Sequence, residues 1–262
     1  MKPLHMYLNA ITFCAPGAES WDALCALFNG ADFSPPDDWR VVPECLSGRT
    51  ARRVSPQILL ALTVAERIGG SLPEDAGWVF ASSAGEGETL QVILEMLSTP
   101  DMLIQPLRFQ NAVHNAAAGQ WSVAAKITGP MTSIAAHKET VGAGFMKAAL
   151  QVALEARPVG LVIYDVPFPE PLDQTQPLGL PIGAGFALSS DPGPATLAAV
   201  EVTTCDSEPT TAESEIARAL QATGNPVAAA LPLLEKLAGG DRADIVLAIH
   251  GGGALQLRLK PA

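Results

Sequence analysis

Positive charge is scarce in this chain: 16 Lys and Arg stand against 27 Asp and Glu, a net charge of −11 at pH 7 over 262 residues. Nucleic acids and anionic membranes are recognised by clustered cations, so neither is an expected partner. The nearest thing to a basic cluster, Arg49, Arg52 and Arg53, is short. Aromatic residues are also few, 5% of the chain against 48% hydrophobic residues overall. The apolar content is therefore mostly Ala, Leu and Val. With 23 glycines, it favours close helix–strand contact over a core of bulky rings. The same hydrophobic fraction, with only 16% charged residues, excludes a disordered chain. The length is enough to bury a sizeable core.

Cysteine is limited to Cys14, Cys25, Cys45 and Cys205, with no CxxC pair and too few for a disulfide scaffold. Reduced thiols in a cytoplasmic protein are expected. No run reaches the ~20 apolar residues of a membrane helix, and Lys138, Glu139 and Lys147 interrupt the most Ala-rich region. The opening segment lacks the apolar core of a signal peptide. His5, His114, His137 and His250 are scattered, without HExxH or helical pairing, so no metal site and no cofactor are expected.

The elements present alternate between strand and helix. The first fifty residues read as irregular, apart from a short helix over Ser20–Gly30 capped by Ser20. Ser55-Pro56 opens a convincing helix, with Ile58, Leu59, Leu62, Ala65 and Ile68 on one side. Trp78–Gly85 reads as a strand entering a Gly-rich bend, followed by helical spacing over Glu88–Leu97. Asn111–Ala124 reads as a small-residue helix, Met131–Ala136 as a short strand and Thr140–Ala156 as a helix. The unbroken apolar run Val159–Val166 predicts a strand buried on both faces. After the Pro-rich crossing PFPEPLDQTQPLGLP come strands over Gly185–Ser190 and Ala195–Thr204. Helices follow near Ala212–Ala222 and Val227–Leu237, then a closing hairpin around Gly251–Gly253 with His250 at its turn. This order favours a layered α/β fold.

SSAGEGE (Ser82–Glu88) has neither GxGxxG nor GK[ST], and its two glutamates would repel a phosphate; it reads as a tight strand-to-helix turn. Without GxSxG, Ser82 and Ser83 do not form a nucleophile elbow.

The stretch from Arg52 to Pro171 resembles the N-terminal half of a β-ketoacyl synthase of the thiolase superfamily. In that family a small-residue helix precedes a G-P-x-x-x-[IV] strand, which delivers a catalytic Cys at the start of a long buried helix. The resemblance implies a thiolase-like layered α-β-α fold: one domain over 1–262, with an N-terminal half of about 1–172 and an abbreviated C-terminal half of about 183–262. Laid over GPMTSIAAHKET without gaps, the family motif puts Lys138, flanked by His137 and Glu139, where the nucleophile belongs. A condensing enzyme needs a thiolate aided by a helix N-terminus. An ammonium gains nothing from that positive end, and acylation of an amine gives a dead-end amide. The family's second-half histidine motifs are missing too.

Together, VHNAAAGQWS (Val113–Ser122) and YDVPFPEPL (Tyr164–Leu172) resemble the short chain-length factors encoded beside aryl polyene (xanthomonadin-type) pigment genes. That resemblance implies an inactive subunit of a type II polyketide system. It would pair with a full-length ketosynthase and help to elongate a polyene chain on an acyl carrier protein. Asn111, His114, Asn115, Gln120, Trp121, Thr132 and Ile134 are then the expected interface residues, with packing within one chain as the alternative reading. Phe145 could help close the acyl tunnel, with a plain core position as the favoured reading of the two. The carrier protein, itself acidic in such systems, would dock mainly through the partner. Two other readings are a homodimeric thiolase-fold scaffold and a divergent acyltransferase or hydrolase using His137, Lys138 or Glu139.

Overall fold

The computed structural model describes residues 2–100 and 102–262. In chain order the elements are β1 (Leu4–Cys14), α1 (Trp21–Phe28), α2 (Gly48–Ala51), α3 (Pro56–Gly69), β2 (Gly77–Ala81), α4 (Gly87–Ser98), α5 (Pro106–Asn111), α6 (Ala116–Ala124), β3 (Met131–Ile134) and α7 (Thr140–Glu155). They continue as β4 (Val159–Asp165), β5 (Ile182–Ser189), β6 (Ala198–Cys205), α8 (Glu215–Gln221), α9 (Leu231–Gly239), β7 (Ala243–Ile249) and β8 (Gly253–Pro261).

Local chemistry explains several boundaries. Ser20 Oγ accepts from the Ala23 N–H at 3.1 Å and starts α1, and Ser55 Oγ accepts from the Ile58 N–H at 3.2 Å ahead of Pro56 in α3. Every residue of β4 is buried, as its unbroken apolar run requires. β7 and β8 pair antiparallel around the tight turn that carries His250. Residues 20–30, 55–69 and 159–165 thus take the forms their sequence predicts.

Two expectations are corrected. The opening segment is not irregular: β1 is an eleven-residue strand in the interior of the sheet. Nor is Asn111–Ala124 one helix. α5 ends at Asn111, and residues 112–115 break the path before α6 begins. None of Ala112, Val113, His114 and Asn115 is a helix breaker by type, so nothing local announced the interruption.

All eight strands form one sheet in the order β3-β2-β4-β5-β1-β6-β8-β7. β2 runs parallel to β3 and β4, and the remaining neighbours are antiparallel. β1 joins the two sides. Its first residues pair with β6 and its last with β5, with a shift of register at Asn9. The Asn9 side chain pins that bulge by donating to Ser189 Oγ and accepting from Thr196 Oγ1, both at 2.8 Å.

Helices cover both faces. α3 and α6 pack over Trp78, Phe80, Val162 and Tyr164, while α1, α7, α8 and α9 cover Val79, Ala81, Leu161, Phe186 and the inner side of β7 and β8. α7 approaches β7 so closely that a Cβ on Gly142 would overlap the Ala248 carbonyl oxygen.

Candidate functional site

His137, Lys138 and Glu139 form a single 3-10 turn between β3 and α7. His137 holds this turn with φ of 50°, a conformation L-residues rarely adopt, and Thr140 Oγ1 ties it by donating to the His137 carbonyl at 2.8 Å. Lys138 is exposed at the mouth of a cavity of about 130 Å3, whose walls include Val141, Gly142, Thr210 and Val246. It makes no ion pair with Glu139 or with any other described residue. No cysteine belongs to this turn. All four thiols are free; Cys14 lies on β1 and Cys205 ends β6. Burial pushes the Cys14 thiol up to about 11. Burial, reinforced by the Glu66 carboxylate, does the same to Cys45. Neither is a thiolate at neutral pH. Among the described residues, no three His, Cys, Asp or Glu side chains are grouped to hold a metal ion, and no helix is long and apolar enough to cross a membrane.

The expected interface residues fall into two groups. Asn111 and Trp121 are buried within the chain: Asn111 Nδ2 donates to the Arg53 carbonyl at 3.2 Å, and Trp121 meets Trp78 edge-on at 5.1 Å. For these two, packing within one chain accounts for the residue type. Phe145 likewise sits in the core, its ring 4.8 Å from that of Phe186.

His114, Asn115, Gln120, Thr132 and Ile134 remain at least partly accessible, around the edge of the sheet. His114 and Asn115 line a groove of about 520 Å3 between α6 and β3, opposite Met131 and Ser133. Thr132 and Ile134 lie on β3, with Ile134 packing toward the α7 side of the core.

β3 is an edge strand, hydrogen-bonded only to β2. The Trp78 N–H donates to the Pro130 carbonyl and the Ser82 N–H to the Ile134 carbonyl. The parallel alternation therefore turns the main-chain groups of Thr132 and Ile134 inward and leaves those of Met131 and Ser133 on the open side. Among the described residues, eleven large hydrophobic side chains are exposed, and eight of them fall between Leu90 and Val123, including Leu94, Leu97, Leu103 and Phe109. The spacing of Leu90, Leu94 and Leu97 along α4 was visible in the sequence, but not that this side faces outward.

The strand-to-helix turn after β2 holds a buried polar network that sequence reading missed. Ser82 Oγ donates to Asp165 Oδ1 at 2.9 Å and accepts from Gln57 Nε2 at 2.7 Å. The Ser83 N–H reaches both Asp165 oxygens, and Gln176 Nε2 donates to Ser83 Oγ at 2.6 Å. Burial pushes the Asp165 carboxyl up to about 7 against these hydrogen bonds, and pushes the neighbouring Tyr164 hydroxyl up as well. Glu86 is also raised by burial, although the Ser55 and Thr89 hydroxyls donate to it. The contacts link residues 25 and 83 positions apart, which no local pattern signals. Since every member is bonded within the network, its first effect is to fix the ends of β2 and β4.

A family model described as the β-ketoacyl synthase N-terminal domain matches residues 33–243. No curated protein matches the chain. A structure of the ketosynthase ApeO in complex with its chain length factor ApeC from Xenorhabdus doucetiae is similar at TM-score 0.73 and 19% identity, covering 98% of this chain and 99% of that one. The ishigamide ketosynthase/chain length factor gives TM-score 0.73 and 14% identity, with the same two coverages. A β-ketoacyl synthase from Burkholderia phymatum gives TM-score 0.69 and 10% identity, covering 99% of this chain and 100% of that one. At these identities the likeness establishes the fold, the layered thiolase-like architecture of ketosynthases.

Proposed function

Because the chain belongs to the β-ketoacyl synthase N-terminal domain family, we propose that it is a non-catalytic, chain-length-factor-type subunit that pairs with a full-length ketosynthase and supports elongation of a carrier-bound polyene chain. The observation that carries this reading is the open edge of β3, and the exposed apolar residues of α4 and α5 add to it. An unpaired strand edge and concentrated exposed apolar side chains each call for a covering partner. Two similar structures are titled as ketosynthases with a chain length factor, which supports the choice of that partner. A further similar structure, AntDE:AntF (TM-score 0.73, 9% identity, covering 99% of each chain), is titled as a type II acyl carrier protein in complex with its ketosynthase, which supports the carrier.

The chemistry at position 138 supports the non-catalytic half of the reading. A lysine offers no thioester chemistry, and Cys14 and Cys45 are held as thiols. The pairing subunit then supplies the nucleophile, while this chain contributes wall and stability. With a net charge of −11, it leaves most of the carrier's docking to that subunit.

Co-expression with a full-length ketosynthase from the same genome is the direct test. The expected result is a stoichiometric complex that elongates a carrier-bound chain, with Lys138→Ala retaining turnover within about twofold. Acylation of the isolated chain by an acyl thioester, seen by intact mass, would instead establish the acyltransferase reading. A stable homodimer that ignores the ketosynthase would establish the scaffold reading.

A further inference from the structure

Away from position 138 and from the β3 edge, a cavity of about 550 Å3 opens between the Trp39 segment, the start of α3 and the turn at Pro167–Pro169. Its volume is that of a small-molecule site. Trp39, Leu59 and Phe168 supply apolar walls, and two of them are fixed in place. The Trp39 indole N–H donates to Glu19 Oε1 at 3.0 Å, and the Phe168 ring lies against Gly87, where any Cβ would overlap it.

The polar groups of this cavity are unevenly satisfied. Arg40 and Arg52 line it, are exposed, and have no ion pair among the described residues. Ser55 and Glu86, also in the lining, are bonded to each other. Gln57 is only 2% exposed. Ser82 gives its proton to Asp165, so it must accept from the Gln57 amide nitrogen; this fixes the amide orientation and leaves Gln57 Oε1 without a partner.

We propose that this cavity binds an apolar carboxylic acid. Its carboxylate sits on the Arg40 and Arg52 guanidinium groups, and its hydrocarbon or aromatic body lies against Trp39, Leu59 and Phe168. Glu88, also in the lining, keeps the anion on the arginine side. The assignment is independent of the pairing reading, since none of these residues lies on the β3 edge.

Calorimetric titration of the full chain with decanol and decanoate tests it. Decanoate should bind at least tenfold more tightly than decanol. Arg40→Ala combined with Arg52→Ala, both exposed positions, should weaken decanoate at least tenfold and leave decanol unchanged. Decanol binding as tightly as decanoate to the unaltered chain would overturn the proposal. So would the absence of saturable decanoate binding up to millimolar concentration, or an arginine variant that binds decanoate unchanged.

Discussion

Asp165 carries the clearest consequence at the scale of single residues. Its carboxyl titrates near 3.8 in an unstructured chain and is pushed up to about 7 in the fold, chiefly by burial. Between those values the folded chain keeps a proton that the unfolded chain has released. The stability this group contributes is therefore full below about pH 4, declines as pH rises toward 7, and is level above it. Asp165→Asn keeps an acceptor for the Ser83 N–H and removes the titration. Thermal melts should show the parent chain losing ground to this variant as pH climbs from 5 to 7; parallel pH profiles would contradict the assignment. Gly142 is a second sensitive position, because the Ala248 carbonyl occupies the space a methyl group would need. Gly142→Ala should cost about 1–3 kcal/mol by overpacking, measured in denaturant unfolding.

Among the elements, β3 makes the sharpest prediction. The Ser133 N–H faces the open edge, so Ser133→Pro removes no bond to β2 but blocks an incoming strand. The variant should keep its far-ultraviolet circular dichroism while recovery with the ketosynthase falls at least tenfold. Undiminished pairing would show that the partner docks elsewhere. This edge also marks how far the sequence could be read. α1 and α3 were legible because a serine cap and a proline announce their starts, and β4 because a strand buried on both faces needs an unbroken apolar run. β1 was not, because LHMYLNAITFC mixes polar and apolar residues around the Asn9 bulge, and its place in the sheet depends on distant neighbours. Of the site, Lys138 could be found through motif register alone. The burial of Glu86 and its bonds to Ser55 and Thr89 depend on tertiary packing.

At the scale of the whole molecule, strong negative charge and a concentrated apolar surface oppose each other: the charge favours dispersal and the surface favours association. Leu97→Glu with Phe109→Glu should leave the unfolding midpoint of the isolated chain nearly unchanged, because both side chains are largely exposed. The same pair should make that chain more monodisperse in light scattering and abolish its recovery with the ketosynthase. A variant that still pairs would remove this surface from the interface. The interior position of β1 has a further consequence, for biosynthesis. Its neighbours β5 and β6 follow roughly 170 residues or more later in the chain, which at ribosomal rates is a wait of roughly 10–30 s. During that interval Leu4–Cys14 leaves the ribosome with both edges unpaired, a natural client for a holding chaperone. The sheet can close only once the polypeptide has been made through β6.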